Sequence, residues 1–192
     1  MSLRSPVSRI VSQSEILKEA EAYEAKVKKG EAELASMGFQ PLSILRQEVT
    51  WAEQDQYRHV NNVYYLRWFE SARMRWITRM ARTLDPKLRE GLLKGNGIGT
   101  IVASTLCRYR RPVTYPDTVL IAVGTLPLKH SNRCIVRQKA FSVEQQTVVA
   151  EADFDVVGFD FEKQRKADFP AEMVAALEAW QYRGKDAHQS RL

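Results

Sequence analysis

The 192-residue sequence has only two cysteines and no C-x-x-C spacing, which excludes a disulfide-stapled scaffold and the common zinc patterns. Cys107 and Cys134 lie in runs rich in Val, Ile and Leu, where a thiol behaves as a small buried hydrophobe. A thiol-reduced interior is expected. No apolar run approaches the roughly 20 residues that cross a bilayer, because Arg or Lys interrupts each one. A membrane span is therefore not expected. A Gly-x-Ser-x-Gly elbow, a Walker loop and a His-Glu-x-x-His helix are all missing, and Gly95-Asn-Gly-Ile-Gly99 lacks the preceding strand and following helix of a dinucleotide fingerprint. There is no zinc-finger, ribonucleoprotein or Gly-rich RNA-clamping signature either. The formal charge of +6 and pI of about 9.4 leave room for an anionic partner, but the cations are interleaved with acids. Nucleic acid is accordingly not the expected partner.

What is present is 44% hydrophobic and 27% charged, enough for one sizeable core. Residues 1–40 read as an appendage. Its start carries Arg4, Arg9 and several Ser, with no acid before Glu15, and Leu3, Val7, Ile10 and Val11 would share a helix face. Residues 1–13 thus fit either a mitochondrial presequence, weakened by Pro6, or a plain N-terminal tail, so the compartment is expected to be mitochondrial or cytoplasmic. A charged helix follows over 14–36, with Ser14 as its cap, Gly30 as a break, and a thin apolar stripe through Ile16, Leu17, Ala20, Tyr23 and Val27.

The main domain is expected over 41–183, with a polar, frayed tail over 184–192. A strand is expected near 45–51 and the longest helix over 62–82, where Tyr65, Phe69, Ala72, Trp76 and Met80 recur at steps of three and four. Its arginines, Arg73 among them, are expected to cover apolar surface with their stems and reach solvent with their heads. After a Gly-containing loop the pattern changes to strands over 100–109, 118–126, 133–143 and 147–160, rich in Val, Ile, Thr and Phe. Their short connections imply antiparallel neighbours, and a helix over 169–182 closes the chain. This is an α+β arrangement in which a curved sheet can wrap one helix.

The stretch Trp51-Ala-Glu-Gln-Asp-Gln-Tyr-Arg-His-Val-Asn-Asn-Val-Tyr-Tyr-Leu-Arg-Trp-Phe-Glu-Ser-Ala-Arg73 resembles the signature of the hotdog-fold thioesterases related to 4-hydroxybenzoyl-CoA thioesterase. Looser similarity runs from about Arg46 to Asp160. The resemblance implies a hotdog fold, with a curved antiparallel sheet around a long central helix and extra helices at both ends. It further implies hydrolysis of an acyl-CoA, with no metal or redox cofactor, coenzyme A being part of the substrate. Asp55 matches the catalytic carboxylate, acting as nucleophile or as base for water. The backbone N–H near Asn62 matches the oxyanion donor, although Asn61 or Asn62 would serve equally as a helix cap. His59 would orient the thioester or bond within the turn, and Tyr65 belongs to the aromatics that line or block the pocket.

Arg58 stands where the family commonly has Gly; it could pair with a phosphate or carboxylate, or mark an altered pocket. Lys129, His130 and Arg133 occupy the turn that helps to bind coenzyme A in the family, and Arg108, Arg110 and Arg111 form a second candidate cluster. Glu70 reads as a structural ion-pair partner of Arg67 or Arg73. A homodimer or homotetramer is implied, with the active site between subunits. Two alternatives stay open: a hotdog domain without catalysis serving as an assembly subunit, and an acyl-thioester hydratase or dehydratase.

Overall fold

The computed structural model describes residues 11–189. Most of the presequence reading, residues 1–10, therefore falls outside the described residues, as do the last three residues of the expected tail. Helix α1 (Gln13–Ser36) begins at Ser12. The Ser12 hydroxyl accepts from the Glu15 N–H, and the Glu15 carboxylate takes the Ser12 N–H in return at 2.9 Å, a reciprocal cap. The cap thus lies two residues before the Ser14 expected from sequence. Gly30 does not break the helix. It marks the crossing of α1 over the sheet, where a Cβ would come within 2.8 Å of the Leu120 and Phe141 side chains.

Five strands, β1 (Leu45–Glu48), β2 (Ile98–Tyr109), β3 (Thr118–Thr125), β4 (Arg133–Ser142) and β5 (Thr147–Asp160), pair antiparallel in the order β1-β3-β4-β5-β2, and a short β6 (Arg165–Lys166) pairs with the end of β5. The sheet curls around α2 (Asn62–Met80). Tyr65, Phe69, Trp76 and Met80 of that helix meet Val119, Ile121, Val136 and Phe154 of the sheet. On the opposite face Val27, Leu34, Phe39 and Tyr182 meet Leu120 and Phe141. Strand β3 is buried along its whole length because successive side chains feed these two cores in turn.

Four further expectations change. Helix α2 stops at Met80, and the chain then turns through residues 81–83 into α3 (Pro86–Lys94), where sequence reading placed a loop. The signals for α3 are present: Asp85 accepts from the Lys87 and Leu88 N–H groups, Pro86 opens the helix, and Gly95 ends it at φ 74°. Its nine residues are simply too short for an apolar period to stand out. Arg73 is 9% exposed rather than reaching solvent.

Nor are the described residues of the tail frayed. After α4 (Ala171–Ala179), Tyr182 takes a sheet-like bond to Thr125 O at 2.8 Å, Ala187 is buried, and the Arg137 guanidinium donates to the carbonyls of Asp186 and Gln189, each at 2.9 Å. This strap lies on the face opposite α2.

Candidate active site

The chain between β1 and α2 is held by one acid that sequence reading passed over. Glu53 is 8% exposed; its carboxylate accepts from Trp68 Nε1 at 2.9 Å and from the Thr50 N–H at 2.7 Å, and its carbonyl accepts from the Asn61 N–H at 2.9 Å. The loop is thereby tied to the first turns of α2. The signal existed, since Thr50-Trp-Ala-Glu53 has the S/T-x-x-E capping spacing.

Residues 54–60 then form a tight reversal. The Asp55 N–H donates to His59 O at 2.8 Å, the Arg58 N–H donates to Asp55 O at 3.0 Å, and Gln54 bridges Val60. The Val60 N–H donates to Val113 O at 2.8 Å, fastening the reversal to the segment after β2. Arg58 sits at φ 62°, a left-handed conformation that costs an ordinary L-residue about 1–2 kcal/mol. A glycine at this place, as the resemblance implies, would meet a backbone preference that Arg58 satisfies only with strain. Arg58 is exposed and does not line the cleft described below, so its side chain does not fill the site. Arg58→Gly is expected to stabilise the fold by about 0.5–1 kcal/mol, strain relief exceeding the added flexibility of the unfolded chain; a urea midpoint that falls instead would contradict this reading.

Asp55 is half-buried, and its Oδ1 accepts from the Tyr57 N–H at 2.8 Å, which fixes the carboxylate in the turn. Asn61 is the helix cap, its side chain accepting from the Val63 N–H at 3.2 Å. Asn62 becomes the first residue of α2, and its N–H is one of those that a helix cannot satisfy internally. Asp55, His59, Asn62, Tyr65, Tyr109, Arg110 and Arg111 line one cleft of about 300 Å³. Tyr109, which sequence reading did not single out as a site residue, donates its hydroxyl to Asn62 O at 3.1 Å and stacks edge-on against Tyr65. Burial pushes the hydroxyls of both tyrosines up to about 12, so each stays protonated at neutral pH. A carboxylate, a helix N-terminus and flanking cations in one cleft can bind an anionic ligand and stabilise developing oxygen charge beside a base.

Lys129, His130 and Arg133 are not brought to this cleft within the chain. They line another of about 270 Å³, with His188. Arg133 pairs with Val157 and Tyr109 with Ala150, seven positions apart on β5, or roughly 23 Å. Arg110 and Arg111, from the second candidate cluster, are the cations beside Asp55.

The thioesterase-like superfamily model matches residues 49–177, from the end of β1 through most of α4. The chain belongs to the thioesterase-like superfamily. The described fold is the hotdog fold, and solved structures share it. The PA5185 protein of Pseudomonas aeruginosa superposes with a TM-score of 0.62 at 24% identity, covering 74% of this chain and 93% of its own. The Slr0204 protein of Synechocystis, a 1,4-dihydroxy-2-naphthoyl-CoA thioesterase, gives 0.59 at 15% identity, covering 70% and 93%. The SAV2348 protein of Staphylococcus aureus, solved in complex with CoA, gives 0.63 at 16% identity, covering 81% and 96%. At these identities the likeness establishes the fold. No curated protein matches the chain significantly. Among the described residues, no helix of this superfamily member is long and apolar enough to cross a membrane.

Proposed function

We propose that the protein hydrolyses acyl-CoA thioesters. The observation that carries this reading is the meeting of the Asp55 turn and the first amide of α2 in one cleft. In the proposed reaction the thioester carbonyl oxygen rests on the Asn62 N–H, where the helix dipole favours negative charge. Asp55 either attacks the carbonyl carbon, giving a mixed anhydride that water then hydrolyses to the free acid, or takes a proton from a water that attacks the carbonyl directly; the carbon–sulfur bond breaks, and coenzyme A leaves as the thiol, its sulfur protonated by water in the first route and by the Asp55 carboxyl in the second. His59 orients the thioester, and Tyr65 and Tyr109 wall the acyl side. Arg110, Arg111 and the exposed Arg58 supply cations for the phosphates. The Slr0204 and SAV2348 structures, one a CoA thioesterase and the other a CoA complex, support this ligand class.

The working unit in this reading is a homodimer. Strand β1 is a short, charged edge, whereas β2 is a long edge with neither charge nor proline from Ile98 to Cys107, and its middle, residues 101–105, is exposed. Such an edge lacks the usual protection against pairing, apart from one irregularity between Val102 and Ser104. Exposed Ile101 and Val102 add apolar area on the edge itself. Two-fold pairing through β2 would bring the Lys129, His130 and Arg133 end of one copy towards the Asp55 end of the other. Ile101→Lys is expected to halve the mass seen by light scattering; an unchanged mass would mean that β2 is not the joint. Function itself is tested by following free thiol release from a panel of acyl-CoAs with the purified protein.

A further inference from the structure

Helix α2 carries four arginines and a single glutamate, and one of those arginines faces inward. The Arg73 side chain is 10% exposed, its guanidinium lies 4.6 Å from the centre of the Phe154 ring, and the nearest carboxylate, Glu70, is 4.0 Å away and itself 66% exposed. Among the described residues, Arg73 Nη1 and Trp76 Nε1 are buried donors without a hydrogen-bond partner. Both residues line a cavity of about 90 Å³ whose other walls include Ile77, Met80, Thr100 and Val102.

Buried donors are normally satisfied, and a buried charge needs an opposite charge as well. A water molecule would answer the first need and leave the second. Burial lowers the Arg73 pKa, with Glu70 acting weakly the other way, yet a guanidinium stays charged at neutral pH. The cavity is thus apolar in its walls and electropositive at one point, which suits an alkyl or aryl group ending in an anionic acceptor.

We propose that this cavity receives the far end of the acyl group and that the preferred substrates carry a carboxylate there, held by Arg73 Nη1 and Trp76 Nε1. The assignment rests on the thioesterase reading and on pairing through β2. Pairing about Ala103, midway along the exposed run, sets the Tyr109 end of one copy beside the Gly97 end of the other. On that register the partner's Thr100 and Val102, which line its Arg73 cavity, lie three and five residues along the edge from the Tyr109 wall of the Asp55 cleft, roughly 10 and 17 Å. An acyl group whose thioester sits on one chain can thereby end in the other.

The test compares acyl-CoAs of matched length that end in a methyl group or in a carboxylate, on the wild type, Arg73→Met and Trp76→Phe. The wild type is expected to favour the carboxylate-ended series by at least tenfold in kcat/KM. Arg73→Met is expected to abolish that preference, and Trp76→Phe to reduce it. A wild type that favours methyl-ended substrates overturns the proposal, as does an Arg73→Met variant that weakens both series equally.

Calorimetric titration with free α,ω-dicarboxylates and matched monocarboxylates reads the cavity without turnover. Dicarboxylate binding that weakens at least tenfold in Arg73→Met supports the assignment even if no thioester is cleaved, and then only the thioesterase reading fails. Turnover without such binding overturns the cavity assignment alone. If Arg73→Met and Glu70→Gln both loosen the dimer without changing selectivity, the carboxylate facing Arg73 belongs to Glu70 of a second copy, and the proposal is wrong.

Discussion

Asp55→Asn is expected to lower kcat for acyl-CoA hydrolysis by about 10²- to 10⁴-fold, the range in which positioned base catalysis contributes. The substitution is chosen because it changes little else. Asparagine keeps the size of the side chain and an oxygen that can accept from the Tyr57 N–H, as Asp55 Oδ1 does at 2.8 Å. What it lacks is the negative charge that, in the proposed reaction, attacks the carbonyl or accepts a proton from water. Stability should therefore stay within about 0.5 kcal/mol of the wild type, so a matched melting curve separates lost chemistry from lost structure. Undiminished thiol release in the variant would remove Asp55 from the mechanism. Silence of both proteins across the panel would favour an assembly subunit, and hydration of an enoyl-CoA without thiol release would select the hydratase reading.

The second large effect concerns stability. Arg137 and Asp153 form a two-pronged pair across β4 and β5, with Nε–Oδ1 at 2.8 Å and Nη2–Oδ2 at 2.7 Å, and their side chains are 4% and 6% exposed. The same guanidinium holds the strap through the carbonyls of Asp186 and Gln189 and pairs with the Asp186 carboxylate at 3.1 Å. Arg137→Ala would leave Asp153 buried and uncompensated while releasing those carbonyls. The expected cost is about 3–5 kcal/mol, or a fall in Tm of roughly 6–20 °C for a chain of this size. Replacing both partners with apolar residues should recover much of the loss, because the penalty comes from stranding one charge. A single variant that melts with the wild type would show that the pair contributes nothing to the fold.

Much of this architecture is visible in the residues alone, for reasons that differ by element. Strands β2 to β5 show because each is long and rich in β-branched residues, and α2 because its apolar period persists for five turns. The strap was missed because its anchors, Tyr182, Asp186 and Ala187, are spaced as a polar tail would be; only Arg137 on the facing sheet makes them a docked segment. The burial of Arg73 is hidden from the sequence for a related reason. On a helix so rich in arginine nothing local distinguishes the one that faces Phe154. At the site, the run from Asp55 to Asn62 is legible because turn, cap and helix start follow one another in the chain. The capping role of Glu53 is legible in its spacing from Thr50, but its bond to Trp68 and the bond of Tyr109 to Asn62 O require tertiary knowledge.

The smallest of these features has the widest reach. Because Gly30 leaves no side chain between α1 and the sheet, the helix can settle directly on Leu120 and Phe141, and with the strap it covers the outer face of the sheet around them. A visitor approaching from that side meets helix and tail rather than bare strands, so stacking of sheets back to back is obstructed.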